Sequence, residues 1–173
     1  LDFCHNVMTP AHAQRSLDAH ARTGQRILFA YGMLGSFKTL EADQPWRMEQ
    51  VRSLCRGPAS PLVRLGLAVS SLEHAGMRLV ENEIALAREL GLPMTFHQNP
   101  PGQIRELQQA KLLGADMLPV HANLAAEDEL EALAGLGAGI SFTPEGEFAG
   151  GRSMSIIGRA HRAGVTPSLG VDI

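Results

Sequence analysis

The sequence predicts an incomplete TIM-type (β/α)8 barrel, and three observations predict it. Strand-length apolar runs alternate with helical stretches along all 173 residues, the pattern of a parallel sheet with right-handed crossovers. Four successive units share one plan: a glycine, an apolar run, then a polar side chain capable of chemistry. Gly91 leads to His97, Gly114 to His121, Gly137 to Glu145 and Gly164 to Asp172. Finally, no strand is followed by a GxGxxG turn, and the reactive residues end several strands rather than one switch point. That disfavours an open doubly wound sheet. The Gly-to-Gly spacings of 23, 23 and 27 residues suit (β/α) units. Seven such units are one short of the eight that close a barrel.

In chain order, LDFCHN (1–6) reads as a strand. Thr9 then caps a helix with Pro10 at its first position, and Gly24 ends it. QRILFAYG (25–32) is the next strand, followed by a loop over 33–46, a helix over 47–55 and a turn at 57–58. The strand LVRLGLAVS (62–70) precedes a helix over 76–90 whose apolar face is Val80, Ile84 and Ala87. LPMTFH, a helix over 102–113, DMLPVH and an acidic helix over about 125–136 follow. AGISFTP (138–144) leads into a glycine-rich loop, a helix over 153–163 and the strand TPSLGVD. The count is seven strands and six helices.

Hydrophobic residues at 45% and charged residues at 19% are those of a globular protein with a sizeable core. A net charge of −3 gives no general attraction to nucleic acid or an anionic membrane. No apolar run has the length of a membrane span. Cys4 and Cys55 are too few for a disulfide framework, so a reducing cytoplasm is the expected location. The chain opens at Leu1 inside a strand and stops at Ile173, one residue after Asp172. The expectation is one partial barrel domain over residues 1–173, a fragment of a longer protein. Its first and last strands would then present apolar parallel edges, and association with further copies or aggregation follows.

His97 and His121 each end a strand, where a rigidly held ring nitrogen can serve a metal or a substrate. The plainer readings are a hydrogen-bonded histidine at a strand–helix junction and a structural histidine capped by Asn123. Asp172 follows a nearly apolar strand, and carboxylates in such places are paired, hydrogen-bonded or metal-bound. A helix N-cap is its plainer role.

The segments GMRLVENEIALARELGLPMTFHQN, LGADMLPVHAN and GAGISFTPEGE…IGRAHRAGVTPSLGVDI resemble the amidohydrolase superfamily, in particular its cytosine deaminase-like and triazine chlorohydrolase-like branch. LDFCHNVMTPAHA and RILFAYG resemble strands two and three of that branch, so the chain corresponds to about strands 2–8, with strand 1 missing. The resemblance implies one divalent metal ion, zinc or iron, that activates water for attack on a small heterocyclic substrate at a carbon–nitrogen or carbon–chlorine bond. It makes His97 the strand-five metal ligand and His121 a contact of substrate or water. Asp172 becomes the strand-eight ligand and general base. His5 and Asn6 would line the pocket, with Glu145 as a further candidate.

Two departures stand out. The family's His-x-His pair is absent, and it is expected upstream of Leu1. With His97 and Asp172 alone, this segment is expected to bind metal weakly and to be inactive by itself. The glutamate that deaminase members carry three residues after the strand-five histidine is here Pro100. Glu145 or Glu147 could replace it. Two other functions compete. A phosphate-binding isomerase or aldolase is suggested by the AGGRS loop, although no lysine ends a strand. A non-catalytic, degenerate barrel is the other.

Overall fold

The computed structural model describes residues 1–5, 7–36, 38–57, 60–151 and 155–172. It divides into two compact units, Leu1–Thr95 and Phe96–Ile173. In the first, β1 (Asp2–Cys4), α1 (Pro10–Thr23), β2 (Ile27–Gly32), α2 (Leu40–Arg56), β3 (Val63–Ala68) and α3 (Met77–Glu89) lead to the start of β4 (Met94–Gln98). The strands pair in parallel in chain order, with Phe3 opposite Ala30, Ala30 opposite Gly66 and Leu67 opposite Met94. Phe29, Tyr31 and Leu67 from the strands are buried, as are Val80, Ile84 and Ala87 of the α3 face.

The second unit continues from β4 through α4 (Gln103–Gln109), β5 (Met117–His121), α5 (Glu127–Leu136), β6 (Ile140–Phe142), α6 (Pro144–Ala149), α7 (Ser155–Ala163) and β7 (Pro167–Leu169). These strands too are neighbours in chain order. Val120 pairs with Ser141, and Ser141 with Ser168, both in parallel. Ile104, Leu107, Leu130, Leu133, Ile140, Phe142, Ile156 and Ala160 fill its core.

All seven expected strands are present, mostly trimmed at their ends. The helices differ in three places. The segment expected to be a loop up to residue 46 is helical from Leu40, and Pro45 lies inside α2. Proline is tolerated there because Glu41, whose carbonyl the missing N–H would have reached, is exposed to water. The expected glycine-rich loop after β6 is the short helix α6, which raises the helix count to seven among the described residues. Pro144 starts it, and Glu145 and Glu147 sit in its first turn beside the positive end of the helix dipole. At the third place, Gly114 does not close its helix. Gly91, Gly137 and Gly164 take the left-handed conformation, whereas α4 stops at Gln109 and Lys111 adopts φ 60° instead.

Buried polar groups tie the first unit together at the carboxyl ends of its strands. Arg47 of α2 is 1% exposed. It donates to the carbonyls of Val7, after β1, and of Gly32, 3.1 Å away at the end of β2. Its guanidinium lies 4.4 Å from the Trp46 ring centroid. The loop after β2 gives it room only because residue 35 is glycine. A Cβ there would come 1.9 Å from Arg47 Nη2, and φ is +50°. Gly35→Ala is therefore expected to cost about 2 kcal/mol or more through backbone strain and displacement of the arginine. An unchanged melting midpoint would refute this.

Candidate active site

The described site residues of the second unit come from the ends of β4, β5 and β6 and the segment after β7. His97 is the fourth residue of β4 and is half-buried. Its backbone carbonyl accepts a 3.0 Å hydrogen bond from Gln103 Nε2, which joins the end of β4 to the first turn of α4. His121 is the last residue of β5 and 5% exposed. The two imidazoles stack, with centroids 5.1 Å apart and planes 8° from parallel. Adjacent parallel strands lie about 4.8 Å apart, a spacing that lets rings at neighbouring strand ends stack.

The chain bends sharply at this point. His121 has φ 72° and Ala122 φ 55°, two consecutive non-glycine residues in the left-handed region. Each costs on the order of 1 kcal/mol or more, a strain that concentrates at functional sites. The Ala122 N–H still reaches the Gln98 carbonyl at 3.2 Å, so the turn is held to the end of β4.

His121 Nδ1 lies 3.1 Å from Glu147 Oε1 and 3.2 Å from Thr143 Oγ1. Glu147 is 1% exposed. Its Oε1 also accepts from the backbone N–H and the hydroxyl of Thr143, each at 3.0 Å. Its other oxygen, Oε2, is buried and makes no hydrogen bond. The Thr143 hydroxyl proton points to Glu147, which leaves its oxygen lone pairs for Nδ1.

Asp172 is exposed, follows β7 and has φ 55°. Its carboxylate rests against Gly146, where a built Cβ would lie 3.2 Å from Oδ2. Glu145 is exposed, two residues before the buried Glu147 and on the opposite side of the same helical turn. Pro100 is half-buried, and its carbonyl accepts a 2.7 Å bond from Gln98 Nε2. His5 belongs to the first unit, where its ring lies 4.6 Å from that of Phe3. Asn6 and the Arg152–Ser153 part of the AGGRS loop lie outside the described residues.

The structure thus brings His97 and His121 together and adds Glu147 to the second. The signal for Glu147 was its place in TPEGE: a glutamate four residues after a threonine N-cap, one beyond the capping-box position, can still turn back to the cap's N–H. Imidazole and carboxylate are the right kinds of donor for zinc or iron. Their number falls short. Among the described residues no group of three or more His, Cys, Asp and Glu stands together as a metal site, and catalytic zinc needs about three protein ligands. The stacked rings also lie in two nearly parallel planes, so one ion cannot lie in the plane of both.

No family model and no curated protein matches the chain. Solved structures do. Atrazine chlorohydrolase TrzN from Arthrobacter aurescens TC1, complexed with zinc, superposes at TM-score 0.77 and 17% identity over 92% of this chain and 41% of that one. An amidohydrolase from an environmental sample of the Sargasso Sea matches at TM-score 0.67 and 24% identity, over 87% of this chain and 38% of its own. An adenosine deaminase from Xanthomonas campestris with bound zinc matches at 0.68 and 16%, over 96% and 40%. This chain therefore spans about two fifths of the length of each of these enzymes. At these identities the likeness shows the fold: an incomplete α/β barrel of the amidohydrolase type. Among the described residues, no helix is long and apolar enough to cross a membrane.

Proposed function

We propose that this chain is part of a metal-dependent hydrolase that cleaves a carbon–nitrogen or carbon–chlorine bond in a small heterocyclic molecule. The observation that carries the reading is the pair of stacked histidines on adjacent strand ends, with Asp172 after the last strand. The fold likeness to a chlorohydrolase and a deaminase supports it. His97 and Asp172 are assigned as two ligands of one divalent ion, zinc before iron. The remaining ligands lie elsewhere in the longer protein, and the 173-residue segment alone is expected to be inactive.

The chain's own residues have separable tasks. Asp172 accepts a proton as water attacks the electrophilic ring carbon, and it returns that proton to the departing amine as the carbon–nitrogen bond breaks. Chloride would leave without it. His121 binds the substrate or the attacking water through Nε2. His5, Asn6 and Glu145 remain proposed pocket residues. A reducing cytoplasm suits a chain with only two cysteines, Cys4 and Cys55, too few for a disulfide framework.

The test is metal content of the full-length protein. His97→Ala and Asp172→Ala are each expected to lower bound zinc at least tenfold after dialysis and to abolish hydrolysis of chloro- or amino-substituted triazines and pyrimidines. Wild-type metal content in both variants would refute the ligand assignment. A full-length gene without a His-x-His strand would favour the non-catalytic barrel.

A further inference from the structure

We infer that Glu147 is a positioning residue: it fixes His121 as the Nδ1–H tautomer and so makes Nε2 the lone-pair nitrogen of the ring. The inference rests on the role proposed for His121 and adds which of its nitrogens does the work.

The argument lies in the hydrogen-bond directions around one oxygen. Glu147 Oε1 receives the Thr143 backbone N–H, a donor whose direction cannot change. It also receives the Thr143 hydroxyl. An oxygen already facing these donors cannot carry a proton of its own towards the imidazole, so the proton between Glu147 and His121 sits on Nδ1. Protonating the carboxyl would not change this, because the proton would go to Oε2, which has no partner. Either way Nδ1 donates. In a neutral imidazole the other nitrogen is then an acceptor. A carboxylate behind a histidine commonly sets tautomer and ring orientation in this manner.

The surroundings leave the ring few other arrangements. Glu147 is 1% exposed and held by its own helix, its N–H bonded to the Thr143 carbonyl at 3.0 Å. The left-handed backbone at His121 and Ala122 sets where the ring leaves the strand, and stacking on His97 sets its plane. Nε2 of such a ring can accept a hydrogen bond from water or from a substrate amine, and it cannot donate one. The ligand group it recognises is therefore an N–H or O–H donor, such as the exocyclic amine of an amino-substituted heterocycle.

The experiment is imidazole NMR on full-length protein carrying isotope-labelled histidine, at a pH about two units above the ordinary imidazole value of roughly 6.5. His121 is assigned by the signal lost in His121→Asn. The expected wild-type spectrum shows a protonated Nδ1 and an unprotonated Nε2. A ring protonated at Nε2, alone or together with Nδ1, overturns the inference. Glu147→Gln keeps an oxygen for Thr143 and Nδ1 and should retain the wild-type tautomer. Glu147→Leu removes the acceptor and should shift the ring towards Nε2–H, with a tenfold or greater loss of kcat. An unshifted tautomer in Glu147→Leu overturns the inference. Should that variant fail to fold, the wild-type and Glu147→Gln spectra still decide, since both must show Nδ1–H. Failure of the metal assignment would appear as unchanged zinc content in His97→Ala, and the tautomer result would stand apart from it.

Discussion

Replacing Arg47 by alanine is expected to destabilise the protein by about 3–5 kcal/mol. The guanidinium is buried and donates to the carbonyls of Val7 and Gly32. Neither carbonyl gains water when a buried side chain is truncated, so each loses a charge-assisted bond, and the vacated volume adds a cavity term. Arg47→Met separates these contributions. It keeps the aliphatic packing and removes the buried charge, whose Nε and Nη2 have no hydrogen-bond partner. The methionine variant should therefore lose about half as much. Urea unfolding followed by circular dichroism and by the fluorescence of the single tryptophan, Trp46, measures both. Equal midpoints for wild type and Arg47→Ala would show that the carbonyls find other partners.

Stability should also fall as pH rises from about 4.5 to 7, and Glu83 is the cause. This α3 carboxyl is 2% exposed and accepts from the Ser70 N–H at 2.7 Å, the Ser70 hydroxyl at 3.1 Å and Gln44 Nε2 at 3.1 Å. Burial pushes its pKa from 4.5 up to about 7, although the three hydrogen bonds and Arg47 pull the other way. The folded chain thus holds this proton more tightly than the unfolded chain. The resulting stabilisation is complete below the unfolded value of 4.5 and is lost as pH rises through the folded value near 7. The difference amounts to on the order of 3 kcal/mol. Asp43, Glu89 and Asp128, whose pKa values are held low by hydrogen bonds from Thr39, Arg52 and Arg105, act in the opposite direction, and only at more acid pH. Glu83→Gln removes the titration, so its stability should be flatter than that of wild type across this window. Parallel wild-type and variant profiles would refute the assignment.

Most of the architecture was legible because it rests on local patterns. Strand-length apolar runs, the Thr9–Pro10 start and the left-handed glycines at 91, 137 and 164 each act within a few residues. The misreadings at 40–46 and 144–149 have one origin. Proline and glycine read as breakers, yet Pro45 lies inside α2 where the carbonyl it leaves unpaired belongs to an exposed residue, and Gly146 lies in the first turn of α6. His97 and His121 were legible because strand ends in a parallel fold share one face. The carboxylates that matter to stability and tautomer were harder. Glu83 lies on the same helical stripe as Val80, Ile84 and Ala87, so a charge on an apolar face was the available signal. The partners of Glu147 and Arg47 depend on pairings across 26 and 40 residues, which periodicity does not encode.

The two left-handed residues at the end of β5 bear on how this family of sequences can diverge. Positive φ at 121 and 122 excludes β-branched side chains for steric reasons, whatever the chemistry of the site. Across homologues, position 122 should drift among alanine, glycine, asparagine and aspartate and avoid valine, isoleucine and threonine. An alignment with little variation there would report the shape of the turn before it reported catalysis. Only at His121, where asparagine would satisfy the backbone equally well, would invariance carry information about the reaction.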